Sequence, residues 1–224
     1  MKKIKASFIL NNIIFILVLL GMIVMLTNFK FMPGEDLLSV KGLECFKFFT
    51  VDSNVLIGII SLIMLYYEYK LIKGRIEYIP NSLYILKLIG VVCVMLTFLV
   101  TIFYLAPYIP NGYYALYRNA NLLFHLIIPL LSLISFIFFE KTKKVKFKYI
   151  FLSLIPIVIY GIFYVINILL HLDNGNIDKE YDFYAFAQGG VNTILFVFLF
   201  ILLVSFVISL IIWLLNRERN NMSS

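Results

Sequence analysis

Six apolar runs constrain this chain more than any other feature, because a helix of roughly 20 apolar residues spans the hydrocarbon core of a bilayer. They cover residues 7–27, 46–67, 87–106, 120–139, 149–171 and 191–215. With 62% apolar and only 14% charged residues, the chain cannot provide a water-soluble surface. The sequence therefore predicts an all-α polytopic membrane protein, a single six-helix transmembrane bundle occupying residues 1–224.

The basic residues predict how this bundle is oriented. If the six helices alternate in direction, 14 of the 19 basic residues and only four of the 12 acidic residues fall on one side of the membrane. Lys87 is among these basic residues, and Glu68 and Glu140 are among these acidic ones. An excess of lysine and arginine marks cytoplasmic loops. We expect a multi-pass protein of the cell membrane with both termini in the cytoplasm. Anionic lipid headgroups explain the scattered basic residues, so membrane lipids are the expected partners and nucleic acid is not.

Two short polar segments interrupt the apolar runs. Thr50 stands in Phe49-Thr-Val-Asp-Ser-Asn54, and His125 stands in Asn121-Leu-Leu-Phe-His125, four residues before Pro129. A polar group in hydrocarbon costs several kcal/mol unless it is paired, so these side chains need partners or a function. In the predicted topology both residues lie in the first turns of parallel helices, at one depth.

Helical spacing groups further polar residues with these two. Ser53, Asn54 and Ser61 share a face with Thr50, and Asn121 and Ser132 share a face with His125. Other stripes run through Tyr160, Tyr164, Asn167 and His171, and more weakly through Thr97, Thr101 and Tyr104. Most of these groups fall in the outer half of the membrane, which predicts a polar cavity that opens outward. The alternative is that the hydroxyl and amide groups only join helices, at about 1 kcal/mol each.

Thr50 and His125 could together perform acyl-transfer chemistry. A hydroxyl becomes nucleophilic when a neighbouring base takes its proton, and neutral histidine is the commonest base. Free N–H groups at the helix starts would favour an oxyanion. No third group stands out to orient the imidazole; Asn54, Asn121, Tyr164 and Asp182 are alternatives, whereas Asp52 points away from the Thr50 face. With only two histidines and no clustered ligand motif, we expect neither a metal site nor a cofactor.

Cys45 and Cys93 are predicted at different depths, which makes a disulfide between them improbable. Cys45 lies five residues before Thr50, where a reactive thiol at the mouth of a site and an ordinary interfacial cysteine are both open readings.

The polar segments around Thr50 and His125 resemble those of the androgen-induced and androgen-dependent TFPI-regulating membrane proteins. The sequence looks still more like small bacterial integral membrane proteins of similar layout. The resemblance is carried by Phe49-Thr50 with Ser53-Asn54, by Asn121 to His125 with Pro129, and by the aromatic stretch Tyr181-Asp-Phe-Tyr184-Ala-Phe186. It implies hydrolysis of fatty-acid esters of hydroxy fatty acids, with Thr50 as nucleophile and His125 as base.

The leading hypothesis is thus a membrane hydrolase or acyl-transfer enzyme for a lipid ester. A non-enzymatic binder or carrier of an amphiphile, or a structural membrane protein, is the alternative. The predicted supporting or substrate-binding residues are Ser53, Asn54, Asn121, Tyr164, Asn167, His171, Tyr181, Asp182 and Tyr184.

Overall fold

Six long apolar helices form the molecule, as the sequence predicts. The computed structural model describes residues 2–27, 29–33, 40, 42–109, 112–140, 145–173, 176–178, 180–187 and 189–222. Its spanning helices are α1 (Lys2–Thr27), α2 (Phe49–Ile72), α3 (Asn81–Leu105), α4 (Asn119–Phe139), α5 (Phe147–Leu170) and α6 (Val191–Met222). Length and composition suit each of the six to cross a membrane, which confirms the all-α six-helix fold.

Several helices extend beyond the apolar runs that predicted them. The run at 87–106 belongs to a helix that begins at Asn81, and the run at 46–67 to one that ends at Ile72. Hydropathy marks only the apolar part of a helix, whereas backbone hydrogen bonding continues into the polar interface. The connecting segments include the turn Gly42–Lys47, the short helix Gly112–Leu116 and a hairpin in which Leu172–Asp173 pairs with Asn176–Ile177.

Two spanning helices change their winding. Helix α3 is α-helical over Asn81–Val100 and then becomes a π-helix over Thr101–Leu105. Helix α4 contains π turns at Leu123–Ile127 and Ser135–Phe139. Pro129 has no N–H and cannot continue the regular ladder, which accounts for the π turn just before it. Helix α5 begins as a 3₁₀-helix, Phe147–Leu154.

Helices α1 to α4 form the core, with α3 the most buried, while α5 and α6 lie at the periphery. Small residues let the inner helices approach closely: a Cβ atom on Gly21 would lie 2.2 Å from the Phe124 ring, and one on Gly58 would lie 2.8 Å from Val18. The outer pair is joined by polar contacts, including a 2.9 Å hydrogen bond between the Ser153 and Ser209 hydroxyls.

We call the end of the bundle that holds Lys70, Lys73, Arg75 and Lys146 the basic end, and the opposite end the cavity end. Near the basic end the structure corrects the sequence interpretation of three charges. Glu68, Lys87 and Glu140 were assigned to the membrane surface, yet their side chains are buried between helices. The Lys87 ammonium lies 3.4 Å from a Glu140 carboxylate oxygen and donates to Asn11 Oδ1 and Ser61 Oγ.

We expect Lys87→Met to destabilise the fold strongly. Removing one partner of a buried ion pair leaves the other charge uncompensated and typically costs about 3–5 kcal/mol. Thermal unfolding in detergent, followed by circular dichroism, measures the change. Lys73→Met is the matched control, because Lys73 is exposed after the end of α2 and should alter stability by no more than about 0.5 kcal/mol. Equal midpoints for both variants would show that the buried contacts contribute little.

Candidate functional site

A cavity of about 540 Å³ with a mixed wall of apolar and polar side chains opens at the cavity end, and we call it the polar cavity because its wall is more polar than that of the neighbouring one. Its wall brings together four of the residues predicted from the sequence, namely Thr50, Asn121, His125 and Tyr184. The π turns of α3 and α4 both contribute to it, through Tyr104 and His125. Such turns often occur at functional sites, because they re-aim side chains that a regular helix would point elsewhere.

An apolar cavity of about 90 Å³ adjoins the polar one. It lies between α2, α3, α5 and α6, and aromatic or aliphatic side chains such as Tyr160 and Phe198 form most of its wall. Thr50, Leu105 and Tyr184 line both cavities. Thr50 therefore stands at the boundary between a polar space and an apolar one.

His125 is 5% exposed and makes a hydrogen bond of 2.7 Å between its Nδ1 and the hydroxyl of Thr101. Sequence reasoning placed Thr101 only in a weak stripe and did not connect it with His125. The histidine lies six residues into α4 and so beyond the first turn, in which the sequence predicted it.

Two arrangements satisfy the contact between His125 and Thr101. If Nδ1–H donates to the Thr101 hydroxyl, Nε2 is left as an acceptor that can take a proton. If the Thr101 hydroxyl donates, Nδ1 is the acceptor and Thr101 is the alcohol in contact with the base. No direct hydrogen bond joins Thr50 to His125, although both line the same cavity.

Aromatic side chains hold the start of α2, and thereby Thr50, in place. The backbone N–H of Phe49 donates to the Tyr184 hydroxyl at 3.0 Å, and the Tyr160 hydroxyl donates to the carbonyl of Lys47 at 2.6 Å. Burial raises the pKa of Tyr184 to about 12, so this hydroxyl stays protonated at neutral pH.

Three backbone N–H groups at the start of α2 already donate hydrogen bonds within the protein. Those of Val51 and Asp52 donate to the Phe48 carbonyl, and that of Phe49 to Tyr184. The expectation that free N–H groups of this turn would receive an oxyanion is therefore wrong for these three. Asn121 and Tyr184 are the polar side chains that the cavity wall itself contributes near this turn.

Ser53 and Asn54 serve helix packing. Both side chains donate to the Thr50 carbonyl, and Asn54 Nδ2 also reaches the Phe124 carbonyl of α4 at 3.2 Å. Asn54 thus ties the helix of Thr50 to that of His125 without lining the polar cavity.

Asp182 organises the aromatic loop and does not orient His125. Its carboxylate accepts hydrogen bonds from the Tyr164 hydroxyl at 2.5 Å and from the backbone N–H groups of Phe186 and Ala187. Tyr164, held in this way, lines the apolar cavity.

Asn167, His171 and Tyr181 form a separate group at the surface. The His171 ring stacks on Tyr181 with centroids 3.7 Å apart, and His171 Nδ1 lies 2.8 Å from the Asn167 carbonyl oxygen. The stripe predicted on α5 therefore divides, since Tyr160 and Tyr164 face the apolar cavity and the other two residues do not line it.

Both cysteines are free thiols and fully buried. Cys45 lines the polar cavity, and burial, with a smaller contribution from Asp52, raises its thiol pKa. A thiol in this state is a poor nucleophile. Within the described ranges, no group of three or more His, Cys, Asp or Glu side chains is arranged to hold a metal ion.

The fold and the site together define a polytopic six-helix membrane protein with a polar cavity next to an apolar one. Comparison with protein-family models, with curated proteins and with solved structures found no match.

Thr101→Val should change the hydrogen bonding of His125. The valine keeps the shape of threonine but leaves Nδ1 without its hydroxyl partner, at a cost of about 1–3 kcal/mol. Nitrogen NMR of the ring, in protein labelled with ¹⁵N-histidine, should show shifted His125 signals. His171 is exposed, bonds elsewhere and serves as the internal control. Identical His125 signals in both proteins would mean that the contact with Thr101 is not formed.

Proposed function

We propose that this protein is a membrane hydrolase or acyl-transfer enzyme for a fatty-acid ester, with Thr50 as the nucleophile and His125 as the base. One observation carries the proposal: Thr50 lies where the polar and apolar cavities meet, and His125 lies on the wall of the polar one. A lipid ester has the same division, with a polar ester group beside a hydrocarbon chain. The first carbons of its acyl chain would occupy the apolar cavity, which at about 90 Å³ has room for a few methylene groups, and the ester carbonyl would lie beside Thr50.

In the first half of the reaction, His125 accepts the proton of the Thr50 hydroxyl while the oxygen attacks the ester carbonyl carbon. The C–O bond to the leaving alcohol then breaks, and the alcohol oxygen takes the proton from His125. Water, or a second alcohol in acyl transfer, then attacks the acyl-threonine and gives its proton to His125. The bond between the acyl carbon and Thr50 Oγ breaks, His125 returns the proton to Oγ, and the acid or new ester leaves. The Tyr184 hydroxyl and the Asn121 amide are the donors proposed for the developing oxyanion.

Thr101 is the positioning residue in this mechanism. By accepting a hydrogen bond from Nδ1–H, its hydroxyl would hold the imidazole in the tautomer whose Nε2 is free to act as the base. The sequence did not identify a residue that orients the His125 imidazole. We assign this role to Thr101 of α3 instead of the predicted alternatives Asn54, Asn121, Tyr164 and Asp182.

The family resemblance described above supports the same roles for Thr50 and His125. The distribution of basic residues supports a cell-membrane location with the basic end in the cytoplasm. Substrate would then enter the polar cavity from the outer side.

Turnover of fluorogenic lipid esters by purified protein tests the proposal. Thr50→Ala and His125→Gln should each lower the rate by about 10²–10⁴-fold, because each removes one partner of the proton transfer. Thr50→Ser, which keeps a hydroxyl, should retain measurable turnover. Matched controls are Thr193→Ala, a threonine in the first turn of α6, and His171→Gln; both should behave as wild type.

Two results would contradict the assignment. A loss of turnover in Thr101→Ala but not in Thr50→Ala would make Thr101 the nucleophile. Absence of turnover in the wild type, with saturable binding of a fluorescent fatty acid, would favour a lipid binder or carrier. The missing hydrogen bond between Thr50 and His125 is the observation that favours this second function.

A further inference from the structure

Three oxygen atoms from α1, α2 and the end of α4 surround the Lys87 ammonium near the basic end, at the opposite end of the bundle from the candidate site. Its Nζ lies 2.5 Å from Asn11 Oδ1, 3.1 Å from Ser61 Oγ and 3.4 Å from Glu140 Oε1. A lysine ammonium carries three N–H donors, which matches the number of these acceptors.

Glu140 is the direct counter-charge of this ammonium. Besides the contact with Lys87, its Oε1 accepts a hydrogen bond from the Ser135 hydroxyl at 3.1 Å. The carboxyl group is buried at the end of α4. If Lys87 is an ammonium and Glu140 a carboxylate, the two form a neutral pair.

Glu68 is a second carboxyl group in the same cluster, and its neighbours are different. Its oxygens contact the Ser7 hydroxyl and the Asn11 amide, with Asn11 Nδ2 at 3.1 and 3.3 Å from the two oxygens. All of these partners are uncharged. Among the described residues, no cation lies within ion-pair distance of Glu68, which is 0% exposed.

Among the described residues, the titratable groups that face Glu68 come from two neighbouring helices: Lys87 and the Tyr84 phenol belong to α3, and Glu140 follows the end of α4. Helix α1 contributes the uncharged side chains of Ser7 and Asn11. If both carboxyl groups were ionised, the cluster would hold two negative charges against one positive charge. A net charge buried inside the protein is strongly unfavourable, and a buried carboxyl group avoids it by keeping its proton.

We propose that Glu68 is a proton-binding site, a carboxylic acid that stays neutral at neutral pH while Glu140 balances Lys87. The Ser7 hydroxyl can accept a hydrogen bond from the protonated carboxyl group, and the Asn11 amide donates to its carbonyl oxygen. The site lies between α1 and α2 and takes no part in the proposed ester chemistry.

Infrared difference spectroscopy on the full-length protein in bilayers tests this site. The C=O stretch of a carboxylic acid is separate from the bands of carboxylates and amides. We expect the wild type at neutral pH to show such a band from a buried acid, and Glu68→Gln to lose it. The control Glu77→Gln removes an exposed carboxylate at the basic end and should leave the band unchanged.

Glutamine has nearly the shape of a protonated glutamate, so Glu68→Gln should also fold with a thermal midpoint close to that of the wild type. A wild-type spectrum without an acid band would overturn the proposal, as would a band that persists undiminished in Glu68→Gln. Failure of Glu68→Gln to fold, shown by circular dichroism, would also count against it, because a neutral residue would then be unable to replace Glu68.

Discussion

Every polar side chain inside the six apolar helices must find its partner within the protein, because lipid offers no hydrogen bonds. This requirement acts differently at the two ends of the bundle. Near the basic end, Asn11, Ser61 and Glu140 surround the Lys87 ammonium and join α1, α2, α3 and the end of α4. At the cavity end, residues of the π turns and aromatic side chains line a cavity.

The cavity depends on local departures from regular helix geometry. The π turn Thr101–Leu105 carries Thr101 to the His125 ring, and the π turn before Pro129 carries His125. Tyr160 and Tyr184 meanwhile bind the backbone at the start of α2. Thr50 and His125 are thus positioned by separate elements, and a substrate between them could complete the contact that the protein alone does not make.

Two features were predicted from the sequence: the six helices, and the position of Thr50 and His125 on the wall of one cavity. Apolar runs show where helices span a membrane, and helical spacing shows which side chains share a face. Sequence reasoning misassigned Glu68, Lys87 and Glu140, because each stands near the end of an apolar run and chain position does not show which side chains turn inward. Thr101 was not recognised as the partner of His125, since the π turn alters the face on which it lies. Asn167 and His171 share a stripe with Tyr164, but His171 stacks on Tyr181 at the surface and neither residue lines the apolar cavity.

The role of Thr50 is tested most directly by identifying the residue that reacts with a covalent mimic of the acyl-enzyme. Purified protein would be treated with a lipid-like fluorophosphonate, digested, and sequenced by tandem mass spectrometry. If Thr50 is the nucleophile, the adduct lies on Thr50, a lipid ester competes for it, and His125→Gln prevents it from forming. An adduct on Thr101 or Cys45, or the absence of any adduct on a protein that turns over lipid esters, would contradict this role.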